Sequence, residues 1–211
     1  MRLAPNPTTR EDELRDFRVS PVARSLQPFR RTLDRERDEA ALRALLQQSP
    51  FPLVRDLFGS HRYVVPRARL GAEHAPDFLV GERSSFGVGW LAVQLASPVD
   101  DALTPDGAIS ASLKSALDQI THWRLWLSCR TAGPQGSLSL ENLCPEMPAL
   151  IVLGRRSTER RLEALDQTAK LAIRSYDWLF AAPDLAGRRA AVLDRLPRRG
   201  SFGSPAAAPG G

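Results

Sequence analysis

Apolar positions along the chain follow two rhythms, and the change between them marks the elements. In "TLDRERDEAALRALLQQSP", Ala41, Leu42, Leu45 and Leu46 recur at helical spacing, which predicts one amphipathic helix ended by Pro50. Glu39 lies about one turn before that stripe and flanks its buried face. The rhythm then shortens. "RYVVPRARLG" reads as a strand, bent or at a sheet edge because of Pro66. "DFLVGE" and "GWLAVQLASP" read as two further strands joined by the glycine-bearing loop "RSSFGVG". After Pro98, "VDDALTPDGAIS" is a polar loop of the kind that closes over a site.

Helical spacing returns in "SASLKSALDQITHWRLWLSCR" at Leu113, Leu117, Ile120, Trp123 and Leu127. "PALIVLG" is a short unbroken apolar run, as in a strand buried on both faces. "STERRLEALDQTAKL" predicts a helix capped by Ser157 or Thr158. "AIRSY" predicts a last strand, with Asp177 capping a final helix that begins "WLFAAP". The first 32 residues, with Pro5, Pro7, Pro21 and Pro28, read as an N-terminal arm packed on the domain or on a partner. Thr8 or Thr9 would cap a short helix in that arm. Residues 33–197 then form one domain, and 198–211 have the composition of a disordered tail. Helix, meander, helix, strand, helix, strand predicts an α/β domain with a mixed sheet and helices on its faces.

Composition narrows the function classes. At 211 residues and 23.2 kDa the chain has room for one well-packed domain and a tail. No apolar run approaches the roughly 18 to 20 residues that span a bilayer. "MRLAPNPTTREDELRDF" has no apolar signal region, so the expectation is a cytoplasmic protein with no membrane association. Cys129 and Cys144 are too few for a disulfide framework or a four-cysteine zinc site. His61, His74 and His122 lack metal-ligand spacing. A net charge of +5, with arginine clusters in "FRRTLDRER", "GRRSTERR" and "AGRRAAVLDRLPRRG", permits nucleic-acid binding without demonstrating it.

The hairpin carries the candidate chemistry. Residues two apart on a strand share a face, so Trp90, Ala92, Gln94 and Ala96 lie on one side. Leu91, Val93 and Leu95 lie on the other, which is expected to be core. Gln94 interrupts an apolar strand and, if buried, needs a partner; Asp77 on the neighbouring strand is the candidate, with Glu39 available from the first helix. Acids and an amide at one end of a sheet suit metal-dependent phosphodiester hydrolysis. Oxygen ligands hold Mg2+ or Mn2+, which lowers the pKa of an attacking water. A lysine two residues past a ligand on the same face would offset charge on the phosphate. This chain has Ala96 there.

Residues 36 to about 180 resemble the nuclease domain of the Shedu anti-phage defence family, a branch of the PD-(D/E)XK superfamily. The resemblance rests on blocks in order. "EAALRALLQQSP" resembles the family's first helix with its glutamate, and "LGAEHAPDFLVGE" the block with the metal-binding aspartate. "WLAVQLASPVD" resembles the strand that carries the lysine, and "ALDQITHWRLWL" the helix with a Q-I-x-x-W pattern. "LIVLGRR" with "IRSYDWLF" resembles the closing strands. The resemblance implies a restriction-endonuclease-like mixed β-sheet flanked by helices, acting on DNA with Mg2+ or Mn2+, in a homo-oligomer. It further implies that Asp77 and Gln94 are metal ligands, that Glu39 supports the metal, and that Gln119 reaches the site from its helix.

Ala96 departs from the pattern, and Gln94, a residue type found at that position in some branches of the family, attracts Mg2+ less than a carboxylate does, so the chain is expected to be impaired or inactive. Ala96 is a deliberate substitution, a natural loss, or a sign that the cation has moved to Lys114 or Arg83. Two readings of another class stand beside the nuclease: a non-catalytic nucleic-acid-binding or regulatory module, and a structural subunit. Taken singly, Asp77 reads as a strand-end carboxylate, Gln94 as a core amide, Glu39 as a solvent-facing residue and Gln119 as a solvated or capping amide. Trp123 and Trp126 read as core or interface aromatics, and Arg155 and Arg156 as solvated arginines.

Overall fold

Three short apolar stretches in residues 62–95 form an antiparallel meander. In the computed structural model, which describes residues 17–20, 25–35, 37–55, 57, 61–68, 75–84, 87–129, 143–155 and 170–181, β1 (Arg62–Pro66) pairs with β2 (Phe78–Ser84) and β2 with β3 (Gly87–Leu95). β3 then runs parallel to β4 (Ala149–Val152), and β4 parallel to β5 (Leu171–Arg174). The result is a five-stranded mixed sheet in the order β1-β2-β3-β4-β5.

Among the described residues three helices precede the sheet: α1 (Gln27–Arg35), α2 (Glu39–Gln48) and α3 (Phe51–Val54). α4 (Ala111–Ser128) joins β3 to β4, and α5 (Tyr176–Phe180) follows β5. The chain is thus α/β with helices against the sheet, as the pattern predicts.

Several details differ from the expectations. "TLDRERDEAALRALLQQSP" is not one helix, because Asp38 is extended (φ −98°, ψ 125°) and its carboxylate accepts from Ala40 N at 3.0 Å. That cap ends one helix and starts the next, so Phe29 and Leu33 of α1 and Leu42 and Leu46 of α2 enter the same core. Most of "RSSFGVG" is strand, since the register runs to Ser84 opposite Gly87. Gly81 sits opposite Trp90, and a Cβ there would lie 2.6 Å from the indole, so only glycine leaves room for that ring. Ser175, not Asp177, caps α5 by accepting from Trp178 N at 3.1 Å.

Both faces of β3 are core, where the alternation left one for the site. Trp90, Ala92 and Ala96 pack with Leu113, Ala116, Ile120, Trp123 and Leu127 of α4. Val93 and Leu95 pack with Leu150, Val152 and the helices α1, α2, α3 and α5. Full burial of side chains this size contributes about 1.5–3 kcal/mol each, which is what holds α4 against the sheet. β4 is buried throughout, as its unbroken apolar run predicts. Trp123 is core, and Trp126 is half-buried against the same cluster.

The edge strand β1 ends at Pro66, and its outer edge is paired upstream: Arg18 bridges to Tyr63, and Val19 N donates to Arg62 O at 2.8 Å. The loop after Pro98 is itself bonded, through a Leu103–Ile109 bridge and an Asp100–Ser112 hydrogen bond. Arg155 is a tie rather than a solvated arginine. It reaches Asp177 at 2.8 Å, Leu33 O at 3.1 Å and Asp34 at 3.1 Å, joining α1 to α5. The predicted helix after Thr8 or Thr9, the predicted helix "STERRLEALDQTAKL" up to its last two residues, Arg156, and the tail lie outside the described residues; Leu171, placed at the end of that helix, begins β5 instead. Among the described residues no helix is long and apolar enough to cross a membrane.

Candidate functional site

Continued by one residue, the β2–β3 register sets Asp77 opposite Gln94, and both are buried. Gln94 Nε2 donates to Asp77 Oδ2 at 2.8 Å, and Leu95 N donates to the same oxygen at 2.8 Å. The amide can face only this way, because turning it would set Oε1 against a carboxylate oxygen. Gln94 Oε1 is left as a buried acceptor with no hydrogen-bond partner. Asp77 is also fixed through its backbone: its carbonyl accepts from Arg67 N at 2.9 Å. Arg67 has φ 46°, a left-handed conformation that costs a non-glycine residue roughly 1–2 kcal/mol.

α2 adds the charges. Glu39 is its first residue and Arg43 lies one turn on, so their side chains meet on the helix surface. The Arg43 guanidinium hydrogen-bonds Glu39 through Nη2 and approaches Asp77 Oδ1 with Nε at 2.6 Å. The Nε contact is ionic without alignment, since the Nε–H finds no hydrogen-bond acceptor. Arg43 thus bridges the two acids. Burial, followed by the charges of Asp77 and Asp38, raises the Glu39 pKa against the opposing effect of Arg43.

Glu39 therefore binds its proton more tightly folded than unfolded, a stabilisation fully present below the unfolded pKa and lost as pH rises through the folded one. Glu39→Gln keeps an acceptor for Arg43 and has no such loss. Its stability relative to the unmodified protein is expected to improve as pH rises from 4 to 7, measured by urea unfolding across that range. A relative stability that falls over that range instead would show Glu39 to be stabilised as the anion.

Tyr176 of α5 is buried beside these groups. Its hydroxyl donates to Ala96 O at 2.9 Å. Burial first, then the charges of Glu39 and Asp77, holds the phenol well above its ordinary range. The Ala96 side chain faces apolar core and is 5% exposed.

The structure therefore brings Glu39, Asp77 and Gln94 together, with Ala96 two residues after Gln94 and just past the end of β3. Gln119 is exposed on α4, and Lys114 is exposed in that helix's first turn. Arg83 lies six residues along β2 from Asp77, about 20 Å away by strand rise, beyond the reach of a side chain. Sequence reading missed Arg43. The available signal was its position four residues after Glu39.

A divalent ion fits this arrangement poorly. One Asp77 oxygen already accepts two N–H groups and the other faces Arg43. An ion about 4 Å from the guanidinium would meet a repulsion of roughly 8 kcal/mol at an effective dielectric near 20. Gln94 Oε1 offers a hard oxygen, but a neutral one. Among the described residues no group of three His, Cys, Asp or Glu side chains is placed to hold a metal. No protein-family model matches the chain, and no curated protein matches its sequence.

Proposed function

We propose that this chain is a Shedu-type nuclease-like domain of anti-phage defence, with a restriction-endonuclease-like fold, that engages DNA as a homo-oligomer while its hydrolytic chemistry is impaired or lost. The observation that carries this reading is the pairing of Asp77 and Gln94 at the end of the sheet, with Glu39 beside them and a buried methyl group at Ala96. Loss of a group that offsets transition-state charge costs on the order of 10²–10³ in rate. Gln94 supplies no charge to a metal, and Arg43 already occupies one face of Asp77. That last contact favours the non-catalytic branch of the reading: a nucleic-acid-binding or regulatory module that keeps the fold.

The internal arginines do not supply the DNA contact. Arg30 Nε donates to Phe180 O at 2.9 Å, and Arg124 donates to Met147 O and Lys170 O at 3.1 and 2.9 Å. Arg31, Arg35 and Arg37 are exposed along and just after α1, where phosphate can reach them.

The test is incubation of supercoiled and linear DNA with the protein in Mg2+ and in Mn2+, beside Asp77→Ala, with affinity followed against salt. The expected result is no cleavage, with binding that weakens steeply as salt rises and weakens further in Arg31→Ala/Arg35→Ala. Cleavage that disappears with Asp77→Ala would mean a competent nuclease. Absence of any DNA binding would sink the reading and leave a structural subunit.

A further inference from the structure

The acids at the end of the sheet come with a cation already in place. Asp77 has two oxygens, and each is committed: Oδ2 to Gln94 Nε2 and Leu95 N, Oδ1 to the Arg43 guanidinium at 2.6 Å. The same guanidinium hydrogen-bonds Glu39, so one side chain touches both carboxylates. Asp77 and Gln94 are each 6% exposed, and Arg43 keeps only 22% of its side-chain surface. In such a setting two carboxylates need a positive charge, and a mobile divalent ion and a tethered guanidinium are alternative ways to supply it. α2 fixes which one is present, because Leu42 and Leu46 anchor the helix in the core and Arg43 follows Leu42 directly.

We infer that Arg43 is the resident cation of this site, seated on Asp77 and Glu39 where a divalent ion would have to bind, so that the folded chain holds its acids without metal. The inference deepens the reading of Asp77 as the carboxylate of an impaired nuclease-like site and rests on it. Its test involves no DNA, so a failure to bind or cleave DNA leaves the result intact. The guanidinium is a positioning group: it fixes Glu39 and Asp77 through charge and takes part in no bond-breaking step.

The experiment is thermal unfolding with EDTA and with millimolar Mn2+, together with Mn2+ binding followed by the paramagnetic signal of the free ion. The unmodified protein is expected to unfold at the same temperature in both and to leave the Mn2+ signal unchanged. Arg43→Ala is expected to unfold several degrees lower in EDTA, to recover at least half of that loss in Mn2+, and to deplete free Mn2+. The recovery should be absent from Arg43→Ala/Asp77→Asn. Asp77-dependent Mn2+ binding by the unmodified protein would overturn the inference, as would a folded Arg43→Ala that ignores Mn2+. If Arg43→Ala does not fold, Arg43→Met/Asp77→Asn decides. Unfolding nearer to the unmodified protein than Asp77→Asn alone supports Arg43 as the compensating charge, and no improvement over it sinks the idea.

Discussion

Asp77→Ala is expected to lower stability by about 3 kcal/mol, the low end of the range for breaking a buried ion pair. At this chain length that corresponds to a fall of roughly 6–12 °C in Tm. The loss has three parts. Leu95 N would become a buried donor without an acceptor, at a cost of about 1–3 kcal/mol, and Gln94 Nε2 would keep only its 3.4 Å hydrogen bond to Leu95 O. The Arg43 guanidinium would keep only Glu39. Because its side chain is 22% exposed, water recovers part of that term and holds the total near the lower bound. Asp77→Asn keeps an oxygen for the N–H groups and should lose less. Urea unfolding of the two variants beside the unmodified protein checks the order. A change below about 1 kcal/mol for Asp77→Ala would mean that the carboxylate does not hold the strand end.

Ala96→Lys, the substitution that restores the residue type of the resembled family, is expected to destabilise the protein by about 3 kcal/mol or more without producing a nuclease. Ala96 packs among α4 residues and carries a single methyl group. Forcing a longer chain into a filled core costs about 1–3 kcal/mol, and an ammonium taken out of water adds several more unless it is paired. Arg43 still sits on Asp77, and Gln94 remains neutral, so one lysine does not complete the site. Denaturant unfolding and a DNA cleavage assay in Mn2+ together check this. Cleavage by Ala96→Lys alone, at unchanged stability, would show that Arg43 yields to metal and that the alanine is the only lesion.

The sheet was legible because its signals are local. Short apolar runs in "RYVVP" and "FLVGE", an unbroken one in "ALIV" and helical spacing from Leu113 to Leu127 each report burial directly. The split between α1 and α2 was hidden because Asp38 breaks the helix through its own cap while the apolar spacing continues across it. The Asp77–Gln94 pair was readable from an amide stranded in an apolar strand. The spacing from Glu39 could have suggested Arg43 as that acid's partner but not its contact with Asp77, because an arginine on a helix looks the same from sequence whether it meets solvent or a buried carboxylate. Asp177 misled for a related reason: Ser175 stands two residues earlier, took the cap, and freed the carboxylate for Arg155.

The position of β3 between an antiparallel and a parallel neighbour has a consequence for assembly. Its pairing with β2 brings together residues as near in the chain as Ser84 and Gly87, while its pairing with β4 joins segments separated by all of α4, between Leu95 and Ala149. Loop closure over the longer span loses more chain entropy before any contact offsets it, so the meander is expected to form first. Asp77, Gln94 and Leu95 all belong to that unit. On that order the acid–amide pair takes shape with the hairpin, and Arg43 from the N-terminal side and Tyr176 from the C-terminal side join it afterwards.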